Sequence, residues 1–250
     1  MLTEERYAAI LRLLEQKSAV SVPELTKRLQ ASESTIRRDL TALHNSGKLC
    51  KVFGGATALD SAYTTREEDL PTRQDLHSAE KERIAAAAAA LIADGDFVYL
   101  DAGTTTERLL PYLAKSGATY VTNGVSHAVK LAERGYSVFL VGGRVKPSTG
   151  AVIGAQAVEC LKRYNFTKGF FGANGISVKA GFSTPDAEEG CVKSEAVARC
   201  KKAFVLADVS KFNCIAPITF APITGATIIT TVAPDRKYFD YTEMIEVDES

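Results

Sequence analysis

The N-terminal fold is decided by residues 21–52, which read SVPELTKRLQASESTIRRDLTALHNSGKLCKV. Ser21 followed by Glu24 three positions later is the reciprocal capping-box pattern that begins a helix. A connection of only a few residues then forces a sharp corner before Ser32, which caps a second helix. Apolar residues recur at helical spacing in both helices, namely Leu25 and Leu29, then Ile36, Leu40 and Leu43. The stretch predicts a helix-turn-helix whose second helix ends near Gly47.

Two flanking segments complete this unit. Residues 3–17 form an amphipathic pattern whose buried side is expected to carry Tyr7, Ile10, Leu11 and Leu14. Residues 48–52 alternate polar and apolar side chains, as expected for one strand of a small wing. Residues 1–56 are therefore predicted to fold as a winged helix-turn-helix domain.

The outward face of the second helix has the chemistry of a nucleic-acid contact. Residues 24–51 carry six Lys or Arg against three acidic residues, whereas the whole chain balances 30 against 30. Hydroxyl and guanidinium groups near a helix N-terminus suit phosphates and base edges in the major groove. The predicted DNA-binding residues are Ser32, Ser34, Thr35, Arg37, Arg38, Thr41, Lys48 and Lys51. The alternative is a helix pair with a merely solvated basic face.

The overall composition limits the class of protein. A chain of 250 residues with 46% apolar residues can bury a sizeable core, and two domains are expected. Zero net charge favours a local contact with double-stranded DNA over generic coating of nucleic acid or membrane. Five cysteines without a C-x-x-C pair indicate a reducing compartment, with no zinc site or disulfide framework. The N-terminal stretch lacks a signal-peptide pattern and no apolar run reaches the ~20 residues of a membrane span, so a cytoplasmic protein is expected.

The rest of the chain is predicted to be an α/β domain joined by a linker. Residues 57–77 are charged, are expected to be partly helical, and are interrupted by Pro71. Residues 78–94 form an alanine-rich helix, and the domain extends over residues 78–250. Strands are predicted at 97–101, 120–122, 137–141, 166–173, 203–207 and 226–231, with helices at 105–113, 126–134, 155–163 and 188–200. This alternation is typical of a mostly parallel sheet covered by helices on both faces.

Polar or glycine-bearing loops follow most of the predicted strands. Ligands bind at the carboxyl ends of parallel strands, so these loops are expected to converge on one site. The loop DAGTTT, residues 101–106, precedes a helix and offers N–H groups and hydroxyls to a phosphate, while Asp101 accepts hydrogen bonds from sugar hydroxyls. Lys146, Lys193 and Lys211 are candidates to neutralise the phosphate. The alternative is that glycine, threonine and lysine here serve ordinary turns and surface.

The N-terminal motif resembles a known family. Residues 32–56, SESTIRRDLTALHNSGKLCKVFGGA, are similar to the DNA-binding motif of the DeoR family of bacterial sugar-catabolism repressors. The specific part is TIRRDL, residues 35–40, followed at the right distance by Gly-Gly-Ala. The chain departs from the family pattern at Phe53, where a histidine is usual. The resemblance implies a repressor that binds operator DNA as a homo-oligomer, either a dimer or a tetramer.

The resemblance extends over the α/β part through DAGTTT, VTNG, GGRVKPSTGAVIG, FFGANGIS, GFSTPDAEEGCVK and LADVSKFN. Residues 142–212 resemble fructose-operon repressors more than lactose- or glycerol-operon repressors. This implies a phosphorylated sugar as effector, with fructose 1-phosphate favoured, and neither a cofactor nor a metal. The family pattern places in the effector pocket Asp101, Gly103, Thr104, Thr105, Thr122, Asn123, Gly142, Gly143, Asn174 and Lys211.

Two other functions are compatible with parts of the sequence. The α/β fold is shared with sugar-phosphate isomerases, which need a carboxylate base. The loop GANGIS offers Asn174 instead of paired acids, although Asp186, Glu188 and Glu189 lie nearby in sequence. A nucleotide-sensing or purely architectural DNA-binding protein is less compatible, because the first strand is not followed by G-x-G-x-x-G.

Overall fold

A computed structural model of the chain describes residues 2–17, 19–46, 48–52, 54–58, 62–63, 74, 76–114 and 117–247. Its N-terminal unit contains three helices and a three-stranded antiparallel sheet in the order β1-β3-β2. The elements are α1 Thr3–Lys17, β1 Ala19–Ser21, α2 Val22–Leu29, α3 Glu33–Asn45, β2 Cys50–Val52 and β3 Gly55–Thr57. The predicted winged helix-turn-helix is confirmed, and β1 is an additional strand that pairs with β3.

Local geometry explains the corner between α2 and α3. The Ser21 hydroxyl accepts a hydrogen bond from the Glu24 N–H at 3.3 Å, and the Ser32 hydroxyl accepts one from the Thr35 N–H at 3.2 Å. The reciprocal half of the predicted capping box is absent, because the Glu24 carboxylate instead pairs with Lys17 Nζ at 2.6 Å. Gln30 ends α2 with φ 49°, a left-handed conformation that turns the chain sharply. The predicted helix end at Gly47 lies outside the described residues, and α3 ends at Asn45.

A bidentate ion pair stabilises the packing of α1 against α3. Arg6 Nε and Nη2 donate to the two carboxylate oxygens of Asp39 at 2.7 Å and 3.1 Å. The Asp39 side chain is buried next to the apolar core that contains Ile10, Ile36 and Leu40. One of the three acids that the sequence places in the basic region therefore faces inward, and the outward face of α3 is more positive than the sequence count indicates.

The Asp39 pair provides a stability test. We expect Asp39→Ala to lower the midpoint of thermal unfolding by several degrees, because it leaves the Arg6 guanidinium without its carboxylate partner beside the core. Glu24→Ala removes an acid from the more exposed Lys17 pair and serves as the control. Circular dichroism melts of both variants measure the difference. Equal shifts would show that the Arg6–Asp39 pair stabilises the fold no more than the exposed Lys17–Glu24 pair does.

The remaining chain is built on one seven-stranded parallel sheet in the order β17-β16-β13-β10-β5-β6-β7. Its strands are β5 Phe97–Leu100, β6 Thr119–Thr122, β7 Ser137–Leu140, β10 Phe166–Gly172, β13 Cys200–Leu206, β16 Thr227–Thr230 and β17 Met244–Glu246. All six predicted strands lie in this sheet, and β17 is an addition. The predicted parallel architecture is confirmed.

Alternate side chains of each strand enter the cores on opposite faces of the sheet. In β5, Tyr99 belongs to one buried cluster, whereas Val98 and Leu100 belong to the other. The described helices are α4 Ser78–Ala90, α5 Thr104–Glu107, α6 Val125–Glu133, α7 Ala155–Leu161 and α8 Ala187–Ala198. Helices α4 and α6 contribute to the core on one face, and α7 and α8 contribute to the core on the other.

Several predicted boundaries need correction. The alanine-rich helix ends at Ala90 rather than at residue 94. The predicted helix 105–113 is only α5 followed by a 3-10 turn at Leu110–Tyr112, because Pro111 cannot continue the α-helical hydrogen bonding. Helix α8 stops at Ala198, and Cys200 begins β13.

Three antiparallel strands and one hairpin were not predicted, because these strands are short and the pairing of β12 with β15 joins segments that are distant in sequence. The three-stranded sheet has the order β11-β12-β15, and the hairpin consists of β8 and β9. Their bounds are β8 Arg144–Val145, β9 Val152–Ile153, β11 Gly175–Ser177, β12 Gly181–Thr184 and β15 Ile218–Ala221.

The connector between the two parts is tied to the α/β domain. Strand β4, Ala62–Tyr63, pairs in parallel with β14, Cys214–Ile215. The expected helical content of the linker falls largely on residues 64–73, which with Pro71 lie outside the described residues. The division at residues 56 and 78 stays a prediction. In the described parts of the chain, no helix has the length and apolar character needed to cross a membrane.

Candidate effector site and nucleic-acid interface

A cavity of about 490 Å³ lies where the loops after β5, β6, β10 and β13 meet, and its other side is formed by α3 and the wing. This volume is typical of small-molecule sites. Eight of the predicted effector residues line it, namely Asp101, Gly103, Thr104, Thr105, Asn123, Asn174, Lys193 and Lys211. The described lining carries five Lys or Arg and three Asp or Glu, so it has a positive excess.

A buried ion pair forms the floor of the cavity. The Lys193 ammonium donates to Asp101 Oδ2 and, at 3.0 Å, to the Gly172 carbonyl oxygen. The Gly172 N–H also donates to Asp101 Oδ2, at 3.1 Å. The side chains of Asp101 and Lys193 are only 2% and 9% exposed. Lys193 is thus already balanced by a carboxylate, in contrast to its predicted role as a counter-charge for the ligand.

The loop after β5 is held in place by side chains around it. Thr106 Oγ1 accepts from the Gly103 N–H at 3.0 Å and lies 2.5 Å from the Asp101 carbonyl oxygen, so it faces the loop itself. Asn123 Oδ1 accepts from the Ala102 N–H at 3.0 Å. The loop N–H groups of Ala102 and Gly103 are already used, and helix α5 has only four residues. Any phosphate cradle here therefore depends on the hydroxyls of Thr104 and Thr105 and on the N–H groups at the start of α5, with little helix dipole.

Lys211 reaches the cavity from a 3-10 helix, Val209–Lys211, in the loop that follows β13. Asp208 caps this helix by accepting from the Ser210 N–H at 3.0 Å. Burial alone would raise the pKa of Asp208, but the positive charges of Lys211 and His77 and the Ser210 hydrogen bond bring it below its usual value. The carboxylate therefore stays charged beside Lys211.

The sequence analysis missed two cavity residues of α4 and the turn before it. His77 and Lys81 line the cavity, four positions apart at the start of the alanine-rich helix. The His77 Nδ1 lies 3.1 Å from Glu80 Oε1, and this hydrogen bond raises the pKa of the imidazole despite its burial. The available signal was the i, i+4 spacing of two basic residues at the start of the alanine-rich helix.

Four predicted effector residues lie outside the cavity lining, and their positions have structural reasons. Thr122 is buried and donates from Oγ1 to the Leu100 carbonyl oxygen at 2.6 Å. Gly142 and Gly143 are exposed, and a Cβ on Gly143 would come within 2.8 Å of the Ile153 carbonyl oxygen, so the β8–β9 hairpin requires glycine there. Lys146 Nζ pairs with Asp186 and Glu189, each at 3.1 Å.

Only one of the three acids considered for isomerase chemistry lines the cavity. Glu189 Oε1 accepts from Lys146 Nζ at 3.1 Å and from the Thr149 hydroxyl at 2.9 Å. Asp186 instead caps α8, and Glu188 pairs with Arg144 on the surface. Of these three acids, the described cavity lining therefore holds Glu189 alone, together with Asp101 and Asp208 from other loops.

The predicted DNA-binding residues form one surface on α3 and the wing. Ser32, Ser34, Arg37, Arg38, Lys48 and Lys51 are exposed, and Thr35 and Thr41 are half-buried. Lys51 Nζ donates to the Thr41 hydroxyl at 2.9 Å, which joins the wing to α3. Three of these residues, Arg37, Thr41 and Lys51, also line the cavity, so the surface extends into the effector site.

Comparison with known proteins assigns both parts of the chain. Residues 6–62 match the DeoR-like helix-turn-helix domain, and residues 76–232 match the DeoR C-terminal sensor domain. An uncharacterized HTH-type transcriptional regulator FruR of Bacillus subtilis is 42% identical over 97% of this chain and 96% of its own length. A lactose phosphotransferase system repressor of Streptococcus mutans is 29% identical over 98% of this chain and 100% of its own.

Among solved structures, ribose 5-phosphate isomerase A of Methanocaldococcus jannaschii aligns with 53% of this chain and 53% of its own, at 14% identity and a TM-score of 0.40. The two family matches cover the helix-turn-helix and most of the α/β domain. As its sequence motifs predict, the chain therefore belongs to the DeoR family of transcriptional regulators and combines that family's helix-turn-helix and sensor domains.

Proposed function

We propose that this DeoR-family regulator represses a sugar-utilisation operon and is released from its operator by a phosphorylated sugar, with fructose 1-phosphate favoured. The observation that carries the proposal is the cavity at the carboxyl edge of the sheet, whose described lining has an excess of basic residues. Hydroxyls, amides and lysines in one cavity suit a ligand with several hydroxyl groups and a phosphate. The relatives named as FruR and as a lactose phosphotransferase system repressor support a role in sugar metabolism.

The DNA-binding half of the proposal uses α3 as the recognition helix. Arg38 and Arg37 would contact phosphates or guanine edges, with Ser34 and Thr35 near the bases or backbone. A single winged unit makes few contacts, so binding as a homodimer or homotetramer on paired half-sites is part of the proposal. The division into a DNA-binding domain at residues 1–56, a linker at 57–77 and an effector domain at 78–250 is likewise part of it.

We infer that the cavity binds its ligand without converting it. Isomerisation needs a carboxylate base that can approach a C–H proton. The described cavity lining holds three carboxylates, and each already has a partner: Glu189 accepts from Lys146 and Thr149, Asp101 from Lys193, and Asp208 from Ser210. The relatives that match nearly the whole chain are named as regulators.

Binding of the chain to operator DNA is tested through Arg38. We expect Arg38→Ala to weaken operator binding by roughly 10- to 100-fold, the loss typical of one good arginine contact. Fluorescence anisotropy of a labelled duplex from the regulated promoter gives the affinity at fixed salt. Arg12→Ala removes the same charge from an exposed position on α1 and is the matched control. Equal affinities for both variants would rule out α3 as the recognition helix.

The effector is tested by titrating the protein–DNA complex with a panel of compounds, namely fructose 1-phosphate, fructose 6-phosphate, glucose 6-phosphate, glycerol 3-phosphate and inorganic phosphate. We expect fructose 1-phosphate to release the duplex at the lowest concentration. Release by another sugar phosphate would replace the proposed effector but keep the repressor. If no compound in the panel binds by calorimetry, the cavity is not a sugar-phosphate site.

The phosphate cradle is tested by Thr104→Glu, which places a negative charge among the cavity hydroxyls. We expect this variant to bind operator normally and to need at least roughly tenfold more sugar phosphate for release, because the two anions repel each other. Thr104→Ser keeps the hydroxyl and serves as the control, and thermal melts check that both variants fold. Normal release of the Thr104→Glu variant would place the phosphate elsewhere.

A further inference from the structure

We propose that the effector and the operator compete for the same side chains: a phosphorylated ligand in the cavity binds Arg37 and Lys51 of the DNA-binding surface and holds α3 against the sensor domain. This inference rests on the function proposed above and adds a mechanism to it. The ligand stabilises a closed conformation that cannot bind DNA, and release of the ligand frees the recognition helix.

The first support is the composition of the cavity wall. Arg37, Thr41 and Lys51 form its N-terminal side, and Lys211 and Lys193 belong to the sensor side. Among these, Lys193 is balanced by Asp101. The Arg37 side chain is 56% exposed and contacts Glu33 at 3.3 Å, an exchangeable i, i+4 pair. Bringing Arg37 and Lys51 toward Lys211 places like charges around one space, and a phosphate dianion relieves that repulsion.

The second support is a specific contact between the wing and the sensor domain. Cys50 of β2 and Cys214 of β14 place their Sγ atoms 2.9 Å apart, and each residue is 2% exposed. The two cysteines form a small buried cluster of their own. Helix α3 lies beside the 3-10 helix Val209–Lys211. The closed arrangement is therefore defined by packed side chains as well as by the connector strand β4.

The third support is steric. A recognition helix with its side chains is about 10–12 Å wide and fills a major groove about 12 Å wide. Arg37 and Thr41 lie on the predicted DNA-binding face and also line the cavity, so the sensor domain occupies space that the duplex needs. The closed conformation and the DNA complex exclude each other, and a ligand that binds the closed form better shifts the population away from DNA.

Two matched pairs of variants test whether the side chains are shared. Lys51 lines the cavity and Lys48 does not, although both are exposed wing lysines. On α3, Arg37 lines the cavity and Arg38 does not, although both are exposed. We expect Lys51→Ala and Arg37→Ala to weaken both operator and fructose 1-phosphate binding, each by roughly tenfold. Lys48→Ala and Arg38→Ala should weaken operator binding alone. If all four variants bind fructose 1-phosphate like the unmodified protein, the shared surface is refuted.

The closed conformation is tested with the natural cysteine pair. In full-length protein carrying Cys191→Ser, which removes an exposed thiol, diamide oxidises Cys50 and Cys214 to a disulfide. The two thiols lose two protons and two electrons, which reduce the N=N bond of diamide to a hydrazine. Non-reducing electrophoresis and peptide mass spectrometry follow the product, and Cys50→Ser is the negative control.

We expect fructose 1-phosphate to raise the rate of disulfide formation several-fold and operator DNA to lower it. The oxidised protein should lose at least tenfold in operator affinity, bind fructose 1-phosphate more tightly than the reduced protein, and recover operator binding after reduction with dithiothreitol. An oxidised protein that binds operator normally, or a disulfide rate that neither ligand changes, would overturn the proposal. Failure of the proposed function itself is distinguished by the unoxidised protein, which would then bind neither operator nor fructose 1-phosphate.

Discussion

The ion pair between Asp101 and Lys193 is the contact on which the effector site depends. Lys193 comes from α8, Asp101 follows β5, and the Gly172 carbonyl oxygen at the end of β10 accepts from the same ammonium group. One lysine thereby fixes three elements at the carboxyl edge of the sheet. Removing one partner of a buried ion pair typically costs about 3–5 kcal/mol, because the other charge stays buried alone. The loops that cover this ion pair can therefore change conformation only in ways that keep the Asp101–Lys193 contact.

The charges that remain above the floor determine what the cavity can hold. Asp101 and Glu189 are committed to Lys193 and Lys146, so they offer little repulsion to an anion. Asp208 remains beside Lys211, and its lowered pKa keeps it charged near neutral pH. A ligand therefore meets basic groups, one carboxylate, hydroxyls and amides in the same cavity. A phosphorylated polyol offers a charged group to the basic side chains and hydroxyls to the hydrogen-bonding groups.

Local patterns were sufficient to predict most of the fold. Helices α1, α2 and α3 and six strands of the large sheet follow from capping residues and apolar periodicity, which depend on neighbours in sequence. Strands β11 and β15 are short, and β15 pairs with β12, which lies far before it in the chain, so periodicity contains little information about them. The exposure of Gly142 and Gly143 could not be predicted either. The sequence shows a glycine turn there but does not indicate which side of the sheet the hairpin occupies.

The position of a predicted effector residue relative to its strand decides whether it reaches the cavity. Loops directly after strands, such as Asp101 to Thr105, reach the cavity because parallel strands end at one edge. Thr122 precedes its loop by one position, and the strand alternation turns its hydroxyl toward Leu100 instead. The contribution of Arg37, Thr41 and Lys51 depends on how α3 packs against the sensor domain, and no local pattern specifies that packing.

A surface shared by two ligands couples their binding through the shared side chains themselves. If the sugar phosphate lowers the affinity for DNA by a given factor, linkage requires DNA to lower the affinity for the sugar phosphate by the same factor. The effector concentration needed for induction then depends on how tightly each operator is bound, through Arg37 and Lys51 themselves. Under the proposed shared surface, a change at either residue would alter both equilibria, so operator recognition and inducer response could not be adjusted independently at these two positions. Arg38 and Lys48 lie outside the described cavity lining, so operator affinity would change alone there.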